Sequence, residues 1–198
     1  MRWNSTQAMI QRALRLKDAL HRYCKHWRPI HGESYDLMRD MLDATDWEEL
    51  EHFNELLKPF EKATKRTEGN AITGSHGALW EVIPIMDYLF NTLKMHADEI
   101  TATPSLFSDH YQHCINHGFV KLQEYCTKIN DSRFYSASTA LNPNMKFTYF
   151  EEAWAGKQGG REAIANARQM TRELYHEYLA RVEPPALASP LASSLFMS

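Results

Sequence analysis

The sequence predicts an all-α fold, an irregular bundle of about five to seven helices. Three observations carry that reading. Apolar residues recur at three- and four-residue steps through several long segments. Alternating, strand-like stretches are almost missing. Prolines and glycines punctuate the periodic segments, and the long helices each hold a proline or end at one, so the bundle is not expected to be straight.

The first segment is expected as one helix over Met1–Arg28, with Asn4, Ser5 or Thr6 offering a side-chain oxygen to its free amides. Met9, Ala13, Leu16, Leu20, Tyr23, Cys24 and Trp27 fall on one face of it. Arg28-Pro29-Ile30-His31-Gly32 breaks the chain, because a proline disfavours helix at the residue before it. A short segment, Tyr35–Leu42, precedes a second long helix that Thr45 and Glu48 can open as a capping box. Its inward stripe is Trp47, Leu50, Phe53, Leu57, Phe60 and Thr64. Pro59 should bend it near Glu55, whose carbonyl loses its donor, and Gly69-Asn70 ends it.

Ser75 is the expected cap of a third helix. There Leu79, Val82, Ile83, Met86, Leu89, Phe90 and Leu93 cover more than one face, which suits a central, buried position. Thr103-Pro104-Ser105 restarts the chain into a fourth helix with Phe107, Tyr111, Cys114, Ile115, Leu122, Cys126 and Ile129 inward and Gly118 within it. Phe134–Leu141 reads as a short strand by alternation or a short helix capped by Ser132, and helix is favoured. Asn142-Pro143 closes it. Met145–Trp154 is a further short helix with Phe147, Phe150 and Trp154 inward, and Gly156, Gly159 and Gly160 form a loop. A last helix covers Arg161–Val182. The expected domain is therefore 1–182, followed by a Pro-, Ala- and Ser-rich tail, 183–198, expected to be disordered.

Charge is distributed unevenly. Met1–Arg28 holds seven basic residues (Arg2, Arg12, Arg15, Lys17, Arg22, Lys25, Arg28) against Asp18, a local charge of +6. Residues 33–62 hold ten acids against Arg39, Lys58 and Lys62, a local charge of −7. The basic stripe can meet a phosphate backbone or the protein's own acids, and composition alone does not choose between them. The net charge of −3 confines any nucleic-acid contact to a patch. Three cysteines, Cys24, Cys114 and Cys126, do not make a disulfide framework, so a reduced intracellular setting is expected. Leu79–Leu93 is the most apolar stretch, and Glu81, Pro84 and Asp87 unfit it to span a bilayer, so no membrane partner is expected. No apolar signal region opens the chain, and the sequons at Asn4 and Asn130 are read as chance matches.

Chemical motifs are few. The glycine loops over 69–77 and 156–160 match neither phosphate-binding nor dinucleotide spacing. Within Asp109–His117, His110, His113 or Cys114, and His117 have metal-ligand spacing on a helix but lack a fourth ligand, so packing or exposed histidines are expected instead of a metal. The same holds for His21, Cys24 and His26. Asp46/Glu49 and Glu151/Glu152 are carboxylate pairs on solvent faces, without the strands that would project them into one pocket. No active site, no cofactor and no small-molecule substrate are expected.

Four segments resemble hAT-superfamily transposases, most nearly the form common in fungal genomes. Arg2-Trp3-Asn4-Ser5-Thr6, followed by Met9 and Ala13-Leu14-x-Leu16, resembles the family's R-W-N-S-T segment. Trp47-Glu48-x-Leu50 through Leu57-Lys58-Pro59-Phe60-x-x-Ala63-Thr64 is similar to its W-x-x-L…L-x-P-F-x-x-A-T helix. His76-Gly77-Ala78-Leu79-Trp80-Glu81-Val82-Ile83-Pro84 looks like the next helix. Leu141-Asn142-Pro143-Asn144-x-Lys146-x-x-Tyr149-Phe150 resembles the L-D-P-R-x-K element, with Asn142 and Asn144 departing from it. The likeness runs over about residues 1–182.

The resemblance implies the helical insertion of an RNase H-like transposase domain, in a chain carrying neither the Asp-Asp-Glu triad nor the zinc finger of the whole enzyme. The family's C-terminal dimerisation region likewise has no counterpart here, which leaves the oligomeric state open. The implied function is that of a truncated or domesticated, non-catalytic protein with DNA as partner and a nuclear location. Its expected DNA-binding residues are Arg2, Trp3, Arg12, Arg15 and Arg22. By resemblance Trp3 stacks on an extruded base; as a plain sequence feature it staples the first helix. The alternative is a helical protein-interaction module or inert transposon remnant that does not bind DNA.

Overall fold

The computed structural model describes residues 3–28, 36–68, 78–104 and 108–182, and among them every regular element is helical. These residues form eight α-helices: α1 Trp3–Arg15, α2 Lys17–His26, α3 Ala44–Thr67, α4 Val82–Ala102, α5 Ser108–Asn130, α6 Arg133–Leu141, α7 Lys146–Trp154 and α8 Gly160–Val182. Short 3-10 turns occupy Leu37–Asp40 and Leu79–Glu81. The all-α expectation holds, with more helices than the five to seven anticipated, in part because the segment expected as one first helix is two. No helix among the described residues is long and apolar enough to cross a membrane. The tail 183–198, the Gly69-Asn70 stop, the Ser75 cap and Phe107 lie outside the described residues.

The chain divides into two compact units, Met1–Ile129 and Asn130–Ser198. The first is built on α3, α4 and α5. Asp43, not Thr45, caps α3: its carboxylate accepts the Asp46 N–H at 2.9 Å, and Asp46 returns the bond to the Asp43 N–H at 2.9 Å. A carboxylate beside a helix N-terminus also complements the helix dipole, which favours aspartate over the nearby threonine. The helix runs through Pro59 to Thr67, and the missing proline N–H leaves the Glu55 carbonyl without its usual partner.

Pro84 disturbs α4 less. It is the third residue of that helix, in the turn whose amides have no acceptor within the helix in any case. Leu56 and Ala63 of α3, Ile85, Leu89, Leu93 and Ile100 of α4, and Tyr111, Ile115 and Leu122 of α5 form one buried cluster. Because α4 buries residues towards both neighbours, its apolar positions cover more than one face, as the sequence predicts. Gly118 lets α5 approach α4: a methyl group placed there would stand 3.1 Å from Leu93 Cδ1. Phe53 and Phe60 pack on the edge of the cluster. The Tyr111 hydroxyl, buried with it, donates to the His52 carbonyl at 3.3 Å and meets His96 Nδ1 at 3.3 Å.

The second unit packs α6, α7 and α8 on one another. Phe150 is its centre, at 0 % exposure, with the Trp154 ring edge-on at 4.8 Å. Phe134–Leu141 is helical, and Ser132 sits at its N-cap position without a side-chain bond. Arg168 of α8 lies over the Phe147 ring at 4.6 Å and pairs with Glu151 of α7, while Arg133 of α6 pairs with Glu177 of α8 at 2.9 Å. The turn into α8 is geometrically narrow. Gly159 has φ of +73°, and a Cβ on buried Gly160 would fall 1.8 Å from the Trp154 carbonyl oxygen. Only glycine passes there without moving backbone.

Two outcomes are expected. Gly160→Ala destabilises the protein by about 3 kcal/mol through that backbone collision, read as a shift in denaturant midpoint. Burial, opposed in part by Glu99, lowers the His96 pKa, so the fold favours the neutral imidazole. Its contribution is present above the ordinary histidine value of about 6.5 and is lost as pH falls through the lowered value. Thermal melts between about pH 7 and pH 5 should therefore fall less steeply in His96→Gln than in the parent protein.

Candidate nucleic-acid interface

The basic segment forms α1 and α2. Asn4, Ser5 and Thr6, expected as caps, lie inside α1, which starts at Trp3; Arg2 and the side chain of Trp3 lie outside the described residues. The helical run loosens at Leu16, with φ of −100° and ψ of 7°. Its N–H is shared between the carbonyls of Arg12 at 3.1 Å and Ala13 at 3.0 Å before the ladder resumes with Leu20 on Leu16 at 2.8 Å. No proline or glycine marks this break.

The face that α1 turns to α3 differs from the expected one. Gln7 (2 % exposed) and Ile10 are buried, whereas Met9 is 63 % exposed. Gln7 Nε2 donates to Glu61 Oε2 of α3 at 3.0 Å. A carboxylate on the facing helix offsets the cost of a buried amide, and the choice of Gln7 over Met9 follows from that partner across the interface. Glu61 also takes a bond from Lys65, and the two bonds, Lys65 first, hold its pKa below the usual value. Leu16, Leu20 and Tyr23 are likewise exposed, α2 buries no residue, and Cys24 and Trp27 are half-buried.

Arg12, Arg15, Lys17, Arg22, Lys25 and Arg28 are all exposed. Arg22 donates to the Asp18 carbonyl at 3.3 Å, Arg28 to the Trp27 carbonyl at 2.8 Å, and the Lys17 ammonium sits 5.3 Å from the centre of the buried Trp47 ring. Among the described residues no carboxylate pairs with Arg12, Arg15, Arg22 or Lys25. Three acids of α3 are engaged elsewhere: Glu49 with His110 at 2.6 Å, Glu55 with Lys58, and Glu61 with Lys65 and Gln7. Arg12, Arg15, Arg22 and Lys25 thus take no part, among the described residues, in the internal neutralisation open from the sequence. Arg12 and Arg15 close α1, and Lys25 and His26 close α2, where positive charge opposes the exposed carbonyls of a helix end. Arg12 and Arg15 lie one turn apart on α1, and Arg22 and Lys25 one turn apart on α2, so each helix carries its own exposed pair of cations.

The other candidate chemistry is dispersed. His110 goes to Glu49 and stacks edge-on to Phe53 at 5.6 Å. Cys114 is half-buried, and burial, then Glu49, pushes its thiol pKa up, away from a metal-ready thiolate. His113 and His117 face each other, Nε2 to Nε2, at 3.0 Å. Among the described residues no group of three or more metal-ligating side chains converges. Asp46 serves its capping box and Glu151 pairs with Arg168. An open groove of about 460 Å³ between α3 and α4 is lined by Lys58, Pro59, Lys62, Tyr88, Met95 and His96, among others. In the Leu141–Phe150 segment, Asn142 Oδ1 accepts the Asn144 N–H at 2.9 Å, a turn that an aspartate makes equally well.

Comparison with family models, curated proteins and solved structures finds no match to this chain.

Gln7→Ala should cost about 2 kcal/mol, since it removes a buried hydrogen bond to a carboxylate and leaves a void beneath α1. Chemical denaturation followed by far-ultraviolet circular dichroism reads this directly.

Proposed function

We propose that this chain is a truncated or domesticated hAT transposase-like protein, non-catalytic and nuclear, that contacts DNA through the basic side of α1 and α2. The observation carrying the DNA contact is that Arg12, Arg15, Arg22 and Lys25 are exposed and none is neutralised by a carboxylate among the described residues. Free guanidinium and ammonium groups release condensed counterions when they meet phosphates, whereas groups already paired gain much less. Arg2 and Trp3 precede these residues in the sequence, and the R-W-N-S-T likeness gives Trp3 a stacking role on an unpaired base. The family itself rests on four motif segments in the family's order.

A second reading is a helical protein-interaction module. Met9, Leu16, Leu20 and Tyr23 favour it, because they leave an apolar row on α1 and α2 facing water.

A fluorescence-anisotropy titration of a labelled duplex across a salt series separates the two. DNA binding through this face gives an affinity that falls steeply with salt, and reversing Arg12, Arg15 and Arg22 to glutamate should lower the log–log slope by roughly 3. Affinity that is flat across salt, or unchanged by the triple reversal, removes the DNA proposal and leaves the apolar row as the functional surface.

A further inference from the structure

The histidine cluster of α5 separates into three fates, and one of them leaves a site. His110 is taken by Glu49, and Cys114 is withdrawn into the protein. His113 and His117 remain, both exposed, one helical turn apart, with their rings edge-to-face at 4.4 Å and their Nε2 atoms 3.0 Å from each other. We propose that this pair is a two-imidazole chelate for a divalent transition-metal ion that prefers ligands at right angles, copper(II) first and nickel(II) next.

The argument is geometric. With metal–nitrogen distances of about 2.0–2.1 Å, two ligands at 90° stand about 2.9 Å apart, and two tetrahedral ligands about 3.3 Å apart. The 3.0 Å separation is that of a hydrogen bond between the rings, and it places both Nε2 atoms within reach of one ion; the order of metals follows the general preference of nitrogen sites for copper(II). Right-angled nitrogen ligation is the arrangement of copper(II) and nickel(II), and tetrahedral ligation that of zinc. In the metal-free pair one Nε2–H donates to the other Nε2. On binding, that proton transfers to Nδ1 of its own ring through solvent, both Nε2 lone pairs point to the ion, and no net proton is released from a neutral pair. Because no third ligand converges among the described residues, water fills the remaining positions. The ion would clip two successive turns of α5 immediately before Gly118, where the helix lacks a side chain.

Neighbouring side chains do not compete for the pair. Gln112 and Asn116 bond each other at 3.2 Å, and the Lys121 ammonium is turned to Glu124 and Tyr125. Among the described residues no other histidines are paired in this way on an exposed helix: His21 and His26 are five residues apart, which puts them on different sides of α2.

The test uses the full chain and the chlorides of copper(II), nickel(II) and zinc(II), titrated separately at neutral pH with calorimetric detection. One site is expected, binding copper(II) tighter than nickel(II) or zinc(II). His113→Gln and His117→Gln should each weaken copper(II) binding roughly 100-fold, the advantage lost when a second ligand is no longer tethered beside the first. His110→Gln and His21→Gln should leave it unchanged. Circular dichroism confirms that the variants fold. Should one fail to fold, paramagnetic resonance of copper(II) on the parent protein decides independently: two imidazole nitrogens support the site, and fewer overturn it. Equal copper(II) affinity in the His113 or His117 variants, or loss in the His110 variant, also overturns it.

Discussion

Leu93 keeps only 2 % of its surface in water, and it does so because Gly118 opposite offers no side chain. That approach of α5 to α4, with Leu56 and Ala63 of α3 in the same cluster, is what the first unit depends on. A helix flanked on two sides must be apolar on more than one face, and α4 is. Burying a leucine or isoleucine side chain is worth about 1.5–3 kcal/mol, so a cluster built mainly of such residues outweighs any surface pair in this unit. The polar contacts then refine the arrangement: Tyr111 answers the His52 carbonyl from within the cluster, and Gln7 fixes the rotation of α1 against α3.

Where burial alone sets the pattern, the sequence is readable. The inward residues of α5 (Tyr111, Ile115, Leu122, Ile129) and of α7 (Phe150) are those that a three-to-four-residue spacing picks out. Where a partner distant in the chain sets the pattern, it is not. Gln7 is buried because Glu61 faces it, and no apolar period can announce a buried amide. The break at Leu16 carries neither proline nor glycine, and the capping box falls to Asp43 and Asp46, so that α3 begins at Ala44 and already contains Thr45. The α5 histidines show the same division. Their spacing is plain in the sequence, but the sorting of His110 to Glu49 and of His113 to His117 exists only in the fold.

The basic residues of α1 and α2 have two compatible physical roles. At the ends of their helices they oppose exposed carbonyls, which accounts for Arg12, Arg15 and Lys25 without any ligand. Free of ion pairs with α3, they also keep their charge available over a surface that carries an apolar row beside it. Met9, Leu20 and Tyr23 are exposed on the same two helices, and α2 buries no residue.

Gly160 bears on the history of the chain more than on its chemistry. Nearby α8 positions such as Ala163 and Ala165 face solvent and can drift through many codons unnoticed, whereas every missense change at Gly160 drives a side chain into the Trp154 carbonyl. A reading frame released from selection accumulates changes at both kinds of position at similar rates. Sibling copies that vary at the alanines but retain this glycine would therefore testify to a gene still under purifying selection, and copies that have lost it to a lineage in decay.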